Sequence, residues 1–442
     1  MTQITPRSAS RVKPQSPRAN RVGFSGALAG GCSSPVRAGG AVGGLPFVQS
    51  RGEGAYAFDD RGKRYIDYVM AYGPLLFGHA HPALTNGLEA LAERGALFGS
   101  THAEELELAE RVRSYLPSME RVRFTTTGTE AVMSAIRVAR ASTGRPLIVR
   151  FAGNYHGHFD LALHAAGASA AQDHESRSGV TASMSAEAIV TRYNDLDAFD
   201  RAVGGSEAQV AAIIVEPIGA NMGLVEPQPG FLEGLRARAD RFRMLLIFDE
   251  VITWPRFGFG GAQQRLNVRP DLTTLGKILG GGFPIAAFGG RADVMRELAP
   301  EGNVFTGGTH AGNPLCVAMA HRTLDLLERH SHYYDSIAQR ARRLAEGLRS
   351  ILEARRLPYQ VAQLESIVDF KFREGVTRNW EDAASANAAT YAMYYHAMRK
   401  RAVLLPPSQN EVMFVSTAHT DDDIDETLRA VNQSLAELEA FA

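Results

Sequence analysis

The feature that most constrains the fold is a series of short apolar runs, rich in β-branched and aromatic residues, with helical patterns between them. These runs occupy residues 122–125, 147–151, 211–215, 245–248 and 285–288. The turn Thr127-Gly128-Thr129 follows the first run and leads into a helical pattern from Glu130 to Ser142. Strands that alternate with helices are typical of a mostly parallel sheet that is covered on both faces. The sequence therefore predicts an α/β fold.

The segments on either side of this series predict a second, smaller α+β unit. Alternating apolar residues from Ala55 to Tyr68 predict a hairpin, and the segment from Val403 to Ser416 has strand and loop character. A final amphipathic helix is predicted from Asp421 to about Leu438, with Thr420 as its N-cap. The predicted division is a disordered tail (1–22), an N-terminal segment of a small domain (23–79), a large domain (80–325) and the C-terminal part of the small domain (326–442).

Charge and cysteine content argue against several classes of protein. The formal net charge is −1, so no basic face for nucleic acid is expected. Two cysteines, Cys32 and Cys316, are too few for a disulfide framework or a zinc cage, and they fit a reducing, cytoplasmic compartment. The longest apolar runs have the length of strands, which predicts no transmembrane helix. The acid-free N-terminal segment would suit a transit peptide, but its prolines favour the disordered tail.

Two charged residues of one stretch are candidates for chemistry. Asp249 directly follows the fourth apolar run, and Lys277 lies in an apolar segment with three glycines shortly after it. A lysine is usually a solvated surface charge, but a buried amine with a lowered pKa can form a Schiff base. Asp249 could cap the next turn, or it could keep a pyridine nitrogen protonated. The segment is not a Walker phosphate loop, because Asp271 and Ile278 occupy positions that need Gly and Ser or Thr.

Two further groups of residues follow predicted strands. The hydroxyls and free N–H groups of Thr127-Gly128-Thr129 could bind a phosphate, although the same residues could form an ordinary N-cap. Tyr155 and His156 could stack on a planar cofactor, or they could pack against the core. His156, His158 and Asp160 would share one side only in a strand, which the intervening glycine disfavours, so no metal site is predicted.

Taken together, these residues resemble the class III (fold type I) pyridoxal phosphate enzymes, and within that family they are most similar to the glutamate-1-semialdehyde aminomutases. The resemblance runs from about Gly30 to Asp425. The segments that carry it are SSPVRAGGAVGG, AYGPLLFGHAHP, TGTEAVMSAIRVARASTGR, YHGH, VEPIGANMGLV, FDEVIT, PDLTTLGKILGGGFPIAAFGGR, GTHAGNPL and PPSQNEVMFVSTAHTDDDI. The implied fold is a fold type I transferase, with a mostly parallel central sheet in the large domain and a small α+β domain from the N- and C-terminal segments.

The resemblance implies a site for pyridoxal 5'-phosphate, which would cycle with pyridoxamine 5'-phosphate. Lys277 is the implied Schiff-base lysine, and Asp249 is the implied partner of the pyridine nitrogen. The other residues assigned to the cofactor are Thr127, Gly128, Thr129, Tyr155, His156, Glu216, Asn221 and Thr309. Thr309 is implied to reach the phosphate of the neighbouring subunit, which predicts a homodimer with shared active sites.

Four residues match the substrate side of the family's site. They are Ser34, Arg37, Tyr72 and Glu411. Arg37 is the implied ligand of a substrate carboxylate, since a guanidinium binds a carboxylate with two parallel hydrogen bonds. Glu411 is the implied acid that faces the substrate pocket. The predicted partner is therefore a small amino or aldehyde substrate.

The implied reaction converts glutamate-1-semialdehyde to 5-aminolevulinate, a precursor of porphyrins, by exchanging an amino group within one substrate. Because the intermediate must stay bound, a closing loop is needed, and residues 153–190 are the predicted lid. The sequence departs from the family pattern at 165–169, at 171–177 and at Trp254-Pro255-Arg256, where the family has Gly-Phe-Arg. These departures leave an alternative open, an aminotransferase that acts on an amino acid or a related amine in specialised metabolism. A regulatory cofactor-binding protein is disfavoured, because every catalytic position is filled.

Overall fold

The computed structural model describes residues 27–163 and 179–440. Its strands are β1 (Gln49–Glu53), β2 (Tyr56–Asp59), β3 (Arg64–Asp67), β4 (Arg121–Thr125), β5 (Leu147–Phe151), β6 (Ala188–Thr191), β7 (Val210–Val215), β8 (Leu245–Asp249), β9 (Leu272–Leu275), β10 (Ala286–Gly290), β11 (Gln360–Leu364), β12 (Ile367–Lys371), β13 (Val403–Leu404) and β14 (Met413–Phe414). Its α-helices are α1 (Pro82–Thr85), α2 (Leu88–Glu93), α3 (Ala103–Tyr115), α4 (Gly128–Thr143), α5 (Asp160–Leu163), α6 (Ala182–Ala186), α7 (Leu196–Val203), α8 (Phe231–Phe242), α9 (Gly261–Arg265), α10 (Ala292–Met295), α11 (Pro314–Arg329), α12 (His332–Ala354), α13 (Trp380–Ala384), α14 (Ala388–Lys400) and α15 (Asp421–Glu439).

A seven-stranded sheet forms the centre of the fold, with the strand order β4-β10-β9-β8-β7-β5-β6. Neighbouring strands from β9 to β6 are parallel, and β10 runs antiparallel to both β4 and β9. The inner strands β7 and β8 are buried along their whole length, as expected for strands with helices on both faces. The predicted α/β fold with a mostly parallel central sheet is confirmed.

The sequence patterns do not predict β6 and β9. Each has four residues, which is too short for a clear alternation of apolar and polar positions. The register of β9 is decisive for the site, because Thr274 lies opposite Asp249 of β8 and the strand ends two positions before Lys277. Strand β6 begins inside the predicted lid segment 153–190 and ends one residue beyond it.

Helix α4 begins at the carboxyl end of β4 and confirms the predicted helix. Thr127 is its N-cap, since Thr127 Oγ1 accepts a hydrogen bond from the Glu130 backbone N–H at 3.2 Å. Glu130 Oε2 accepts in turn from the Thr127 N–H at 3.0 Å. A cap of this kind stabilises a helix by roughly 1 kcal/mol. The helix packs its apolar face against the sheet through Val132, Ala135, Ile136 and Ala139.

The topology of the central sheet places several predicted site residues at the carboxyl ends of its strands. Asp249 is the last residue of β8, and Glu216 directly follows β7. Tyr155 lies in the loop after β5, and Lys277 follows β9. Ligands of open α/β sheets bind beyond the carboxyl ends of the strands, and this is the edge at which these residues meet.

A four-stranded sheet joins the two ends of the chain. The strands β1, β2 and β3 pair antiparallel in sequence order, and β13 pairs with β3 in parallel, with Val403 opposite Ile66. The predicted hairpin is thus formed by β2 and β3. A three-stranded antiparallel sheet has the order β11-β12-β14. The shared sheet supports a small domain built from both ends of the chain, and the limits given above for the domains stay a prediction.

The predicted terminal helix is confirmed as α15. Thr420 is its N-cap and forms a capping box with Asp423. The predicted tail (1–22) lies outside the described residues, as do the lid segments 165–169 and 171–177. Within 27–163 and 179–440, no helix is both long and apolar enough to cross a bilayer.

Candidate active site

A cavity of about 270 Å³ opens at the carboxyl edge of the central sheet. Twelve of the residues predicted for the site line it: Ser34, Tyr72, Thr127, Gly128, Thr129, Tyr155, His156, Glu216, Asn221, Asp249, Lys277 and Glu411. Apolar side chains complete the wall, among them Val251, Ile252 and Ile218, which no sequence pattern singled out. The structure therefore brings together residues that are spread over nearly the whole chain.

Lys277 is the cation of this cavity. It follows Gly276 and has a φ of 46°, in the left-handed region that residues other than glycine rarely adopt. Burial lowers the pKa of its amine to about 8. Negative charge from Glu411, Glu216 and Asp249 opposes this shift, and positive charge from Arg256 adds to it. A lysine of this kind is partly neutral near physiological pH, which a nucleophile or a proton carrier requires.

Asp249 is held rigidly by three hydrogen bonds. Its Oδ1 accepts from the Thr274 hydroxyl at 3.1 Å and from the Val251 backbone N–H at 3.2 Å. Its Oδ2 bonds His156 Nδ1 at 2.8 Å. His156 is buried, and its Nε2 has no hydrogen-bond partner among the described residues. His156 thus lines the cavity as predicted, and its bond to Asp249 is a contact that the sequence does not predict.

Glu216 anchors a second side of the cavity. Its Oε1 accepts from the Tyr155 backbone N–H at 2.6 Å and from Asn221 Nδ2 at 2.7 Å, and its Oε2 accepts from the Ala220 N–H at 2.8 Å. Burial nevertheless raises the pKa of Glu216 to about 7, although these hydrogen bonds lower it. The carboxyl group therefore ties the loop after β5 to the loop after β7.

The first turn of α4 presents free hydrogen-bond donors. No described residue accepts a hydrogen bond from the N–H groups of Gly128 and Thr129, which lie at the positive end of the helix. The loop after β5 passes very close to this turn: a Cβ at Gly157, whose φ is +98°, would lie 2.6 Å from Thr129 Oγ1. Such a turn can bind an anion such as a phosphate.

Tyr72 enters the cavity from a strained segment. Met70, Ala71 and Tyr72 have φ values of 44°, 53° and 66°, and strain of this kind concentrates at functional sites. Asp67 holds the segment by accepting backbone N–H bonds, and its other oxygen bonds His79 Nε2 at 2.8 Å. These bonds hold the backbone that leads to Tyr72.

Among the acids that raise the pKa of Lys277, Glu411 has the largest effect. It lies in the loop between β13 and β14. Burial raises its pKa to about 7, and the positive charges of Lys277 and Lys371 lower it. Glu411 therefore changes charge close to neutral pH, and its ionised form is favoured by the two lysines.

Two predicted site residues lie outside this cavity. Arg37 lines a neighbouring cavity of about 340 Å³, which shares Tyr72 with the first. Thr309 is exposed and does not line the cavity of its own chain. Phe305, four residues earlier, is 76% exposed, which is unusual for so large an apolar side chain. Phe305 and Thr309 are therefore exposed on the surface of the chain and do not form a wall of the cavity.

The departure at Trp254-Pro255-Arg256 lies in the core beside the site. The Trp254 indole is buried and donates to the Phe259 carbonyl at 2.8 Å. The Arg256 guanidinium is buried, and no carboxylate of the described residues pairs with it. It donates to Ser366 Oγ at 2.9 Å and to the carbonyl of Gly73. Burial lowers the pKa of Arg256 to about 9. Arg256 thus holds the backbone next to Tyr72, and the sequence does not predict this contact.

The histidines of the site are engaged by protein partners. His156 bonds Asp249, and His158 Nδ1 lies 3.3 Å from Thr129 Oγ1. His79 is paired with Asp67. Within the part of the chain that the structure describes, no group of three His, Cys, Asp or Glu side chains could hold a metal ion.

Comparison with known proteins gives one consistent result. The Aminotransferase class-III family matches residues 40–435. A glutamate-1-semialdehyde 2,1-aminomutase of Roseiflexus castenholzii is 44% identical over 414 residues, which cover 93% of this chain and 95% of that protein. An omega-transaminase from Sphaerobacter thermophilus superposes with a TM-score of 0.85 at 30% identity, covering 93% of this chain and 95% of that one. A glutamate-1-semialdehyde aminomutase from Pseudomonas aeruginosa, solved in complex with PMP, superposes with a TM-score of 0.82 at 28% identity, covering 93% and 92%.

Proposed function

This chain belongs to the class-III aminotransferase family, and on that premise we propose that it is an aminomutase that converts glutamate-1-semialdehyde to 5-aminolevulinate. The observation that carries the proposal is the convergence of Ser34, Tyr72 and Glu411 on the cavity that holds Lys277 and Asp249. The first three match the substrate side of the aminomutases, and the last two match the cofactor side of the whole family. The 44% identity to an aminomutase supports the same choice.

The cofactor is pyridoxal 5'-phosphate, and the residues of the cavity fit it. The free N–H groups of Gly128 and Thr129 suit its phosphate, and the Asp249 carboxylate suits its pyridine nitrogen. Lys277 suits its aldehyde, since a partly neutral amine is nucleophilic. When bound, the cofactor accepts the electron pair that a broken C–H bond leaves behind.

Lys277 is the proposed proton carrier of the reaction. Its amine can take a proton from one substrate carbon and return a proton to the neighbouring carbon. With a pKa of about 8, the group is close enough to neutrality for both directions. Glu411 faces it with a carboxylate, which supports the positive charge that Lys277 acquires whenever it holds the proton.

Asp249 and His156 are proposed to act as one unit. Asp249 offers a fixed negative charge, and His156 holds Oδ2 in place at 2.8 Å. A preorganised charge of this kind requires no rearrangement as the reaction proceeds. Thr274 and Val251 hold the other oxygen, so the carboxylate cannot rotate away from the cavity.

Arg37 is proposed to bind the substrate carboxylate from the neighbouring cavity, beside Tyr72. Replacing Arg37 by alanine is expected to raise the KM for glutamate-1-semialdehyde by roughly ten- to hundredfold, because a hydrogen bond to a charged group contributes about 1.5–3 kcal/mol. Steady-state kinetics measure the effect. Arg51→Ala is a matched control, since Arg51 is exposed in β1 and lines neither cavity. A KM equal to that of the control would refute this role.

We also propose a homodimer in the cytoplasm, in which Thr309 reaches the cofactor phosphate of the partner chain. Thr309 and Phe305 are exposed in the single chain, and a partner chain would cover both, which supports this arrangement. The segment 153–190 is proposed as the lid, because Tyr155 and Gly157 in its described part 153–163 line the cavity.

The second candidate function is an aminotransferase that uses an external amino donor. The observation that favours it is the departure at Trp254-Pro255-Arg256, which lies against the backbone next to Tyr72 on the substrate side. An aminotransferase predicts that a 2-oxo acid is aminated while an amino acid is consumed. The aminomutase predicts that neither partner is needed.

The test of the proposed function is to incubate purified enzyme, saturated with cofactor, with glutamate-1-semialdehyde and no other amine. We expect 5-aminolevulinate to accumulate far beyond one equivalent per active site. Product that stops at one equivalent, or that forms only after an amino acid is added, would contradict the aminomutase and favour the aminotransferase.

A further inference from the structure

Lys371 is a buried cation that the steps above do not use. It is the last residue of β12, and its side chain is 0% exposed. Its Nζ donates to the carbonyl oxygen of Gln409 at 2.6 Å and lies 3.7 Å from Asp369 Oδ2. Removing two charges from water costs about as much as their attraction returns. Stability alone therefore gives no reason for a charged pair at this place.

Lys371 and Asp369 hold two different loops. Lys371 fixes Gln409, which lies two residues before Glu411 on the substrate side. Asp369 Oδ2 accepts from the Leu224 backbone N–H at 3.0 Å. Leu224 belongs to the loop after β7, the loop that carries Glu216 and Asn221 to the cofactor side.

The two loops also touch each other beside this pair. The Gly223 N–H donates to the Asn410 carbonyl at 2.7 Å. A Cβ at Gly223, whose φ is +77°, would lie 2.3 Å from Lys371 Cε and 2.4 Å from Asp369 Oδ2. No side chain fits between the loop and the pair, so a shift of the pair must move the loops.

Lys371 interacts electrostatically with Glu411. Glu411 is faced by Lys277 from the cavity and by Lys371 from β12. Lys371 is faced by Asp369, Arg373 and Glu411. Lys371 is thus the cation outside the cavity that acts on the carboxyl group opposite the reactive lysine.

We propose that Asp369 and Lys371 are positioning residues, which hold the Glu411 loop against the cofactor loop, and that Lys371 supplies the positive charge that favours the ionised form of Glu411 beside Lys277. The inference rests on the proposed cofactor and on Lys277 as its attachment point, and it does not depend on which substrate is used. Neither residue of the pair touches the cavity, so both act through Glu411.

The visible absorbance of bound pyridoxal phosphate tests this without turnover. The absorbance reports the pKa of the Lys277 nitrogen when the cofactor is attached. Glu411, Glu216 and Asp249 support a proton on that nitrogen, whereas Arg256 opposes it. In Glu411→Gln we expect this pKa to fall by about one unit, the effect of losing one nearby charge.

The decisive variant is Asp369→Asn with Lys371→Met, which removes both charges at once and leaves the net charge of the pair unchanged. We expect the pKa of the Lys277 nitrogen to fall, as in Glu411→Gln. Without Lys371 the pKa of Glu411 rises, so a larger fraction of Glu411 is neutral and no longer supports the proton on Lys277. On the Glu411→Gln background the pair is expected to cause no further shift, because interacting residues are not additive. If this variant does not fold, Asp369→Asn with Lys371→Gln retains a hydrogen-bonding side chain at each position and is titrated instead.

An unchanged pKa in the pair variant would overturn the proposal. An equal shift in both backgrounds would also overturn it, since the pair would then act independently of Glu411. Loss of the cofactor from both folded pair variants would contradict it too, because the pair would then support the cofactor loop as a whole. Wild-type enzyme that lacks the absorbance would refute the proposed function, and this inference with it.

Discussion

Replacing Lys277 by alanine is expected to lower the turnover number by about 10³-fold or more. General acid–base catalysis alone contributes roughly 10²–10⁴-fold, and Lys277 is also the proposed attachment point of the cofactor. Its pKa of about 8, lowered by burial, makes it suited to both tasks. Arginine at the same position would keep the charge, but it cannot lose its proton, so it is not expected to restore activity.

The measurement combines kinetics with a covalent trap. Wild-type enzyme treated with borohydride should carry the cofactor permanently on Lys277, and mass spectrometry of the peptide locates it. Lys277→Ala should bind the cofactor but release it after denaturation, even when borohydride was present. Lys63→Ala is the control, because Lys63 is exposed and lies outside the cavity. Full activity in Lys277→Ala, or label on another lysine, would remove the basis for the mechanism.

Replacing Asp249 by asparagine is expected to lower turnover by about 10²–10³-fold, the effect of removing one preorganised electrostatic contact from an active site. Asparagine keeps the shape and can still accept the bonds from Thr274 and Val251, so the fold should persist. What is lost is the negative charge that we propose keeps the pyridine nitrogen protonated. We also expect weaker retention of the cofactor during dialysis.

Asp271→Asn provides a matched control for this variant. Asp271 is likewise a buried acid of the central sheet, but it precedes β9 and pairs with Arg236 and Arg291 away from the cavity. Its replacement should lower the thermal midpoint and leave the rate per folded active site nearly unchanged. If Asp249→Asn and Asp271→Asn have the same kinetics, Asp249 has no special relation to the cofactor.

Those parts of the site that depend on local sequence could be predicted. The run that precedes Asp249 is entirely apolar and ends in Ile247 and Phe248, so both the strand and the position of the acid follow from it. The cap at Thr127 and the helix behind it are likewise set by neighbours within a few residues. The order of strands then places both at one edge of the sheet.

Contacts between distant segments could not be predicted in this way. His156 bonds Asp249 across 93 positions, and Lys371 reaches the Gln409 carbonyl across 38. Such pairs depend on which strands become neighbours, and hydrophobic periodicity carries no information about that. The antiparallel strand β10 is another example, since its apolar run is the same in either direction.

The residues at Trp254-Pro255-Arg256 illustrate the same limit in the substrate region. The sequence shows that they differ from the family pattern, but the consequence depends on burial. In the structure Arg256 is covered on all sides and holds the Gly73 carbonyl beside Tyr72. The departure therefore lies beside the wall that contains Tyr72, whereas Asp249 and Lys277 line the cavity itself.

The most direct test of the central claim follows the amino nitrogen itself. Glutamate-1-semialdehyde labelled with nitrogen-15 is turned over in a large excess of unlabelled alanine and glutamate, and the label in 5-aminolevulinate is measured by mass spectrometry. Because the cofactor donates its own nitrogen in the first turnover, the aminomutase predicts that all product beyond one equivalent per active site carries the full label. Product that carries the unlabelled nitrogen of the added amino acids, or no product at all, would contradict the proposed aminomutase.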